Sequence, residues 1–185
     1  MRNYIVYSLV LFLVVGISCG VLAYVNELTE PIIKENNQRK EDEARRAVFP
    51  GAERFEYIKN GDLAYYKVYD IDEMLIGYTI VAIGPGYSSD IQTMVGLNPD
   101  LSIININIIY QNETPGLGDK YSNAAFYDQF VGKSRADMRL DKDGGKIPSK
   151  TGATVTARAI VKSVGEYIRL LENELEIRGT NDNNK

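Results

Sequence analysis

Three hydrophobic patterns follow one another along this chain. From Tyr4 to Val25 it reads YIVYSLVLFLVVGISCGVLAYV, an apolar run without a charge. As a helix such a run extends about 33 Å, enough to cross a hydrocarbon core of about 30 Å. It predicts a transmembrane anchor over residues 1–26. The alternatives are a cleaved signal peptide, whose apolar region usually covers about 7–15 residues, and a lipoprotein centred on Cys19. The second fits poorly, because Gly16 stands where a larger aliphatic residue belongs and the run continues past the cysteine. Residues 27–50 then turn polar, with sparse apolar positions. They predict a solvated stalk helix over Thr29–Val48, N-capped by Thr29, with Pro31 in its first turn and Phe49-Pro50-Gly51 as its stop.

Beyond residue 51 the period shortens to that of strands. Arg54–Lys59 and Ala64–Tyr69 flank Asn60-Gly61-Asp62, a hairpin signal. Gly77–Ile83 and Asp90–Gly96 flank the loop Gly84–Ser89. Ser102–Tyr110 alternates in part, with Ile104, Ile106 and Ile108 on one face and Asn105 and Asn107 on the other. A short helix over Ala124–Val131 and a strand over Met138–Asp141 follow. From Thr154–Thr156 onward, Ile160, Val161, Val164, Ile168 and Leu171 fall at helical spacing and form a face that can pack on a sheet. The expected class is α+β: an N-terminal transmembrane helix, then a domain over residues 51–178 with an antiparallel sheet and packed helices, then a flexible polar tail over residues 179–185.

Composition narrows the chemistry. The 185 residues contain no histidine and one cysteine, and carry a net charge of −4. The absent histidines remove Ser-His-Asp and Cys-His catalysis and His-based metal sites, and a lone cysteine cannot form an internal disulfide. No basic stripe marks a nucleic-acid partner. Any redox chemistry has to reside on an organic cofactor. Orientation by charge favours a cytoplasmic N-terminus through Arg2, although Lys34, Arg39 and Lys40 on the far side blunt the signal.

The segment KIPSKTGATVTA, Lys146 to Ala157, gathers small residues and hydroxyls where a loop turns into a helix. Helix N-termini bind phosphate through free N–H groups and the dipole. Gly144-x-x-x-x-Ser149-Lys150-Thr151 misses a P-loop by one glycine, and too little chain follows for the parallel sheet such a loop needs. Asp141-Lys142-Asp143-Gly144 looks like a calcium loop but lacks its turning glycine and its bidentate glutamate. The remaining reading takes Thr154 as a covalent attachment point, with Gly152 and Ala153 giving access to its hydroxyl. For an isolated motif, an N-cap by Thr154 or Thr156 is the plainer explanation.

Thr151-Gly152-Ala153-Thr154-Val155-Thr156 ahead of a C-terminal helix resembles the FMN-binding domain of the RnfG and NqrC electron-transport subunits. So does Glu113-Thr114-Pro115-Gly116-Leu117-Gly118, and the apolar anchor, Phe49–Ala52 and the Gly86-Tyr87 loop extend the likeness over nearly the whole chain. The length fits RnfG better than the longer NqrC. The chain departs from the family at Pro148, where an aspartate is usual. Asp143 or Ser149 could take its place. The resemblance implies FMN joined through its phosphate to Thr154, with Thr151, Gly152, Ala153, Val155 and Thr156 around the link. It places the loop Glu113–Gly118 against the isoalloxazine, with Thr114, Gly116 and Leu117 packing on or bonding to the ring. No catalytic residue and no metal ligand is implied. The implied role is that of an electron relay in a membrane complex coupling ferredoxin and NAD to ion movement. Its partners would be the other membrane subunits, the lipid bilayer and an FMN transferase, and its soluble domain would face away from the cytoplasm. The alternatives are a flavinylated component of another membrane or extracellular electron-transfer system, or a flavin-free, membrane-anchored binding module.

Overall fold

The computed structural model describes residues 2–115, 118–150 and 152–182. The chain divides into two compact units, Met1–Lys40 and Glu41–Lys185. The described residues of the first unit lie within helix α1, which spans Arg2–Val48. Among the described residues α1 is the one helix long and apolar enough to cross a membrane. The expected break at residue 27 is absent. Thr29 is not an N-cap, because it sits inside the helix and turns its hydroxyl back onto the Val25 carbonyl at 2.9 Å. A hydroxyl that donates to its own preceding turn leaves the helix intact. Pro31 lies within the same helix, where its missing N–H removes one backbone bond.

The second unit opens with the last turns of α1 and a meander of five antiparallel strands in sequence order. They are β1 (Arg54–Asn60), β2 (Leu63–Tyr69), β3 (Leu75–Pro85), β4 (Asp90–Leu97) and β5 (Ile103–Tyr110). Asn60 pairs with Leu63, so the first hairpin turns on Gly61-Asp62, with Gly61 at φ +56°. Positive φ at the first central residue suits a hairpin turn whose twist matches the strands. The third and fourth strands pair from Tyr78 with Leu97 to Pro85 with Asp90, and Gly86 N–H closes the turn onto the Ser89 carbonyl at 2.9 Å.

Both faces of the sheet are covered. Helix α3 (Thr154–Asp182) lays Ile160, Val161, Val164, Ile168 and Leu171 on Tyr65, Ile80, Ile91, Val95 and Ile106. That is the face its periodicity predicts. It crosses β3 so closely that a Cβ on Gly84 would lie 2.8 Å from both the Ala159 carbonyl oxygen and the Ser163 Cβ. On the opposite face, Ala44, Val48 and Phe49 cover Val68 and Met94. Arg45 is only 8% exposed. It pairs with Asp42 at 2.6 Å and lies 3.9 Å over the Tyr66 ring, a stacked cation that fixes the last turn of α1 on the strands.

Several elements differ from the sequence expectation. The alternation in β5 is interrupted by register shifts beside Gly96/Leu97 and Gln92/Thr93. A bulge moves the following residue to the other face. Ile106 and Ile108 therefore pack toward α3, whereas Ile104 and Ile109 pack on the α1 side. The helix expected over Ala124–Val131 is a single α turn, α2 (Ala124–Tyr127), continued by a 3-10 turn to Phe130; Gly132 at φ +72° follows it. The strand expected at Met138–Asp141 is reduced to one parallel bridge, Leu140 with Ile147. The predicted tail from Gly179 begins as helix, since α3 runs to Asp182.

Candidate functional site

Three segments far apart in sequence meet at the N-terminus of α3. Their organiser is Glu113, 7% exposed. Its Oε2 accepts the Thr156 hydroxyl at 2.6 Å and the Tyr87 N–H at 3.1 Å. Its Oε1 accepts the N–H groups of Ser88 and Ser89 at 2.9 and 3.2 Å. Two oxygens taking four donors use the carboxylate's full accepting capacity. Burial pushes its pKa up, but the Thr156 hydroxyl and the Ser88, Tyr87 and Ser89 amides outweigh this and hold it below the usual glutamate value. Gly86 gives the bracket room, because a Cβ there would sit 2.6 Å from Oε1.

Behind this bracket opens a cleft of about 410 Å³, lined by Tyr87, Glu113, Thr114, Gly152, Ala153, Thr154, Val155 and Thr156. That volume lies within the range of small-molecule sites, about 300–1,000 Å³. Ala153 N–H bonds the Lys150 carbonyl at 3.2 Å, and Gly152 between them takes φ +86°. The turn swings the chain into α3, which begins at Thr154. Ala153 precedes the helix, and its carbonyl accepts from Ala157 N–H at 3.2 Å. Neither threonine is the cap: Thr154 is the first helical residue, and an alanine in the capping place has no side-chain acceptor to offer.

The approach to the cleft is tied down on the other side. Asp141 Oδ1 accepts the Ser149 hydroxyl at 2.8 Å and the Ser149 N–H at 3.1 Å. The Ser149 side chain is the chief cause of the lowered Asp141 pKa. Asp143 takes Arg158 in a two-pronged pair at 2.9 Å, which lowers its own pKa. Tyr121 OH accepts the Lys150 N–H at 2.8 Å. Lys142 Nζ reaches Thr154 Oγ1 at 3.0 Å. The phosphate-loop and calcium-loop resemblances dissolve here, because Ser149 serves Asp141, Lys150 Nζ serves the Lys120 carbonyl at 3.0 Å, and Asp143 serves Arg158.

Of the residues singled out in the sequence, Glu113, Thr114, Gly152, Ala153, Thr154, Val155 and Thr156 share this cleft. Pro115 is exposed beside it. Gly118 opens a 3-10 turn to Tyr121. Thr151, Gly116 and Leu117 lie outside the described residues. Thr156 turns its single hydroxyl proton to Glu113. Lys142 is a site residue that the sequence does not signal. It stands twelve residues before Thr154 in a turn that reads as ordinary, and only the tertiary fold brings the two together.

A family model described as an FMN-binding domain matches residues 86–169, from the glycine behind Glu113 into the middle of α3. Over 90% of its length the chain is 32% identical to the G subunit of the Na⁺-translocating ferredoxin:NAD⁺ oxidoreductase complex of Acetobacterium woodii, 90% of which it covers. The chain belongs to the RnfG family of ion-translocating oxidoreductase complexes. A second member, the G subunit of the proton-translocating ferredoxin:NAD⁺ oxidoreductase complex of Clostridium ljungdahlii, is 30% identical over 82% of the chain and covered over 83% of its own length. The C subunit of the Na⁺-translocating NADH-quinone reductase from Parabacteroides distasonis shares the fold of this RnfG-family chain with a TM-score of 0.53 at 17% identity, covering 72% of this chain and 89% of that one. NqrC of Shewanella oneidensis does so with a TM-score of 0.51 at 21% identity, over 68% and 74%. The cleft suits FMN in its chemistry as well as its size. A flat nucleotide needs an open slot with an aromatic wall, and its phosphate needs a helix N-terminus with a cation nearby. Tyr87, the first turn of α3 and Lys142 supply these.

Proposed function

We propose that this protein is an electron-relay component of an ion-translocating ferredoxin:NAD⁺ oxidoreductase complex, carrying FMN joined through its phosphate to Thr154. The observation that carries the reading is the setting of Thr154. Thr154 lines the cleft and is the first residue of α3, with a lysine ammonium 3.0 Å from its hydroxyl. When bound, FMN supplies an acceptor that takes up and passes on electrons. The chain supplies the slot, the attachment hydroxyl, positive potential for the phosphate and a histidine-free surround. α1 anchors the protein in the bilayer beside the other membrane subunits, with the domain facing away from the cytoplasm. A separate FMN transferase installs the cofactor.

The test is intact mass after denaturation. Full-length protein produced beside an active transferase should carry one covalent flavin, and Thr154→Ala should carry none. Because Thr154 is not the helix cap, the substitution should change stability by less than the roughly 0.5–2 kcal/mol of a lost cap. Flavin retained by Thr154→Ala moves the attachment elsewhere, and wild-type protein without flavin overturns the reading.

A further inference from the structure

A phosphodiester on Thr154 would bring a negative charge to a position where the free threonine has none. We propose that Lys142 is the positioning residue for this phosphate: its ammonium orients the Thr154 hydroxyl before transfer and pairs with the phosphodiester afterwards. The inference rests on Thr154 being the attachment point.

Lys142 Nζ lies 3.0 Å from Thr154 Oγ1. An ammonium only donates, so the Thr154 proton must point away from it. A positive charge beside Oγ1 also stabilises the negative charge left as that proton departs. The lysine is exposed, yet its backbone is fixed at several points. Its own N–H bonds Asp141 Oδ1 at 2.7 Å. The same oxygen holds Ser149, Leu140 bridges Ile147, and Asp143 grips Arg158 in the early part of α3. The turn from Asp141 to Asp143 is thus tied both to the segment entering α3 and to α3 itself. The lysine stem has little distance to cover. Lysine binds phosphate as a compact charge, and neighbouring Lys150 is already engaged with the Lys120 carbonyl.

The transfer itself balances simply. With a dinucleotide flavin as donor, the Thr154 Oγ1–phosphorus bond forms and the bond from the flavin's phosphorus to the pyrophosphate bridging oxygen breaks. The hydroxyl proton goes to solvent, and the nucleoside monophosphate leaves with the bridging oxygen. Nothing is oxidised or reduced.

The experiment follows the initial rate of covalent mass gain on the full chain in detergent, with purified transferase and dinucleotide flavin. Lys142→Met should slow loading about tenfold or more, as expected for one charge-assisted hydrogen bond. Lys142→Arg should stay within about threefold of wild type, because it restores the charge. Lys146→Met is the control for net charge. That lysine acts on Asp137, and its loss should leave the rate unchanged. All variants should melt together. A Lys142→Met protein that loads like wild type overturns the inference while leaving Thr154 in place. Equal slowing by Met and Arg also overturns it, since the turn's shape rather than its charge would then matter. Wild-type protein that gains no mass removes the Thr154 reading and this inference with it.

Discussion

Glu113 holds three backbone N–H groups and one hydroxyl, and the exchange of a single oxygen for nitrogen tests that arrangement. Glu113→Gln keeps the size but turns an NH₂ toward donors. It should cost about 1–3 kcal/mol, the range for leaving buried polar groups unpaired, read as a lowered urea midpoint. An unchanged midpoint would show that the bracket contributes nothing. The pH dependence has a definite sign. Folding lowers the Glu113 pKa from its ordinary 4.5, so below that value the unfolded chain binds more protons than the folded one. Stability then rises with pH across the window. The contribution is complete above the ordinary glutamate range and fades as the pH falls through the lowered value. Wild type should therefore lose stability relative to Glu113→Gln as the pH is taken down through that window.

At the level of elements, the seat of α3 on β3 depends on Gly84. An alanine Cβ there would meet a backbone oxygen and a Cβ of the helix, both at 2.8 Å, neither of which can swing aside. Gly84→Ala should cost about 1–3 kcal/mol by overpacking, measured by thermal or urea denaturation; a variant as stable as wild type would mean that α3 shifts freely on the sheet. The seating face itself was legible in the sequence, because Ile160, Val161, Val164, Ile168 and Leu171 obey a period that local chemistry imposes. So were all five strands, to within a residue or two at their ends. The bulges in β5 were not. Ile104 and Ile106 look equivalent in a period-two pattern, and only pairing with β4 separates them. At the cleft, the short motifs signalled Thr154 and Glu113 through the company they keep. Lys142 and the bracket beneath Tyr87 depend on contacts across 12 and 26 residues, which no local pattern encodes.

For the whole molecule, the compact unit beginning at Glu41 suggests where the chain can be cut. Protein starting at Glu41 should fold without detergent. Protein starting at Gly51 lacks Ala44, Val48 and Phe49 from the core beneath the sheet. It should lose at least about 3–5 kcal/mol, the range for truncating one buried phenylalanine, and chemical denaturation of the two proteins would expose equal stability if that is mistaken. In the membrane, the proposed orientation predicts that a reporter active only outside the cytoplasm gives signal when fused after Lys185. Signal from a reporter active only inside reverses it. The bracket also carries a consequence in time. Each strand of the meander can pair with its predecessor as the chain emerges, but Glu113 must wait for Thr156, 43 residues further on. The cleft can therefore close only after α3 has been made, by a helix that has to dock before the threonine is presented. A transferase that reads the assembled cleft would mark only chains whose folding is finished, and the yellow colour of a preparation would then count its properly completed molecules.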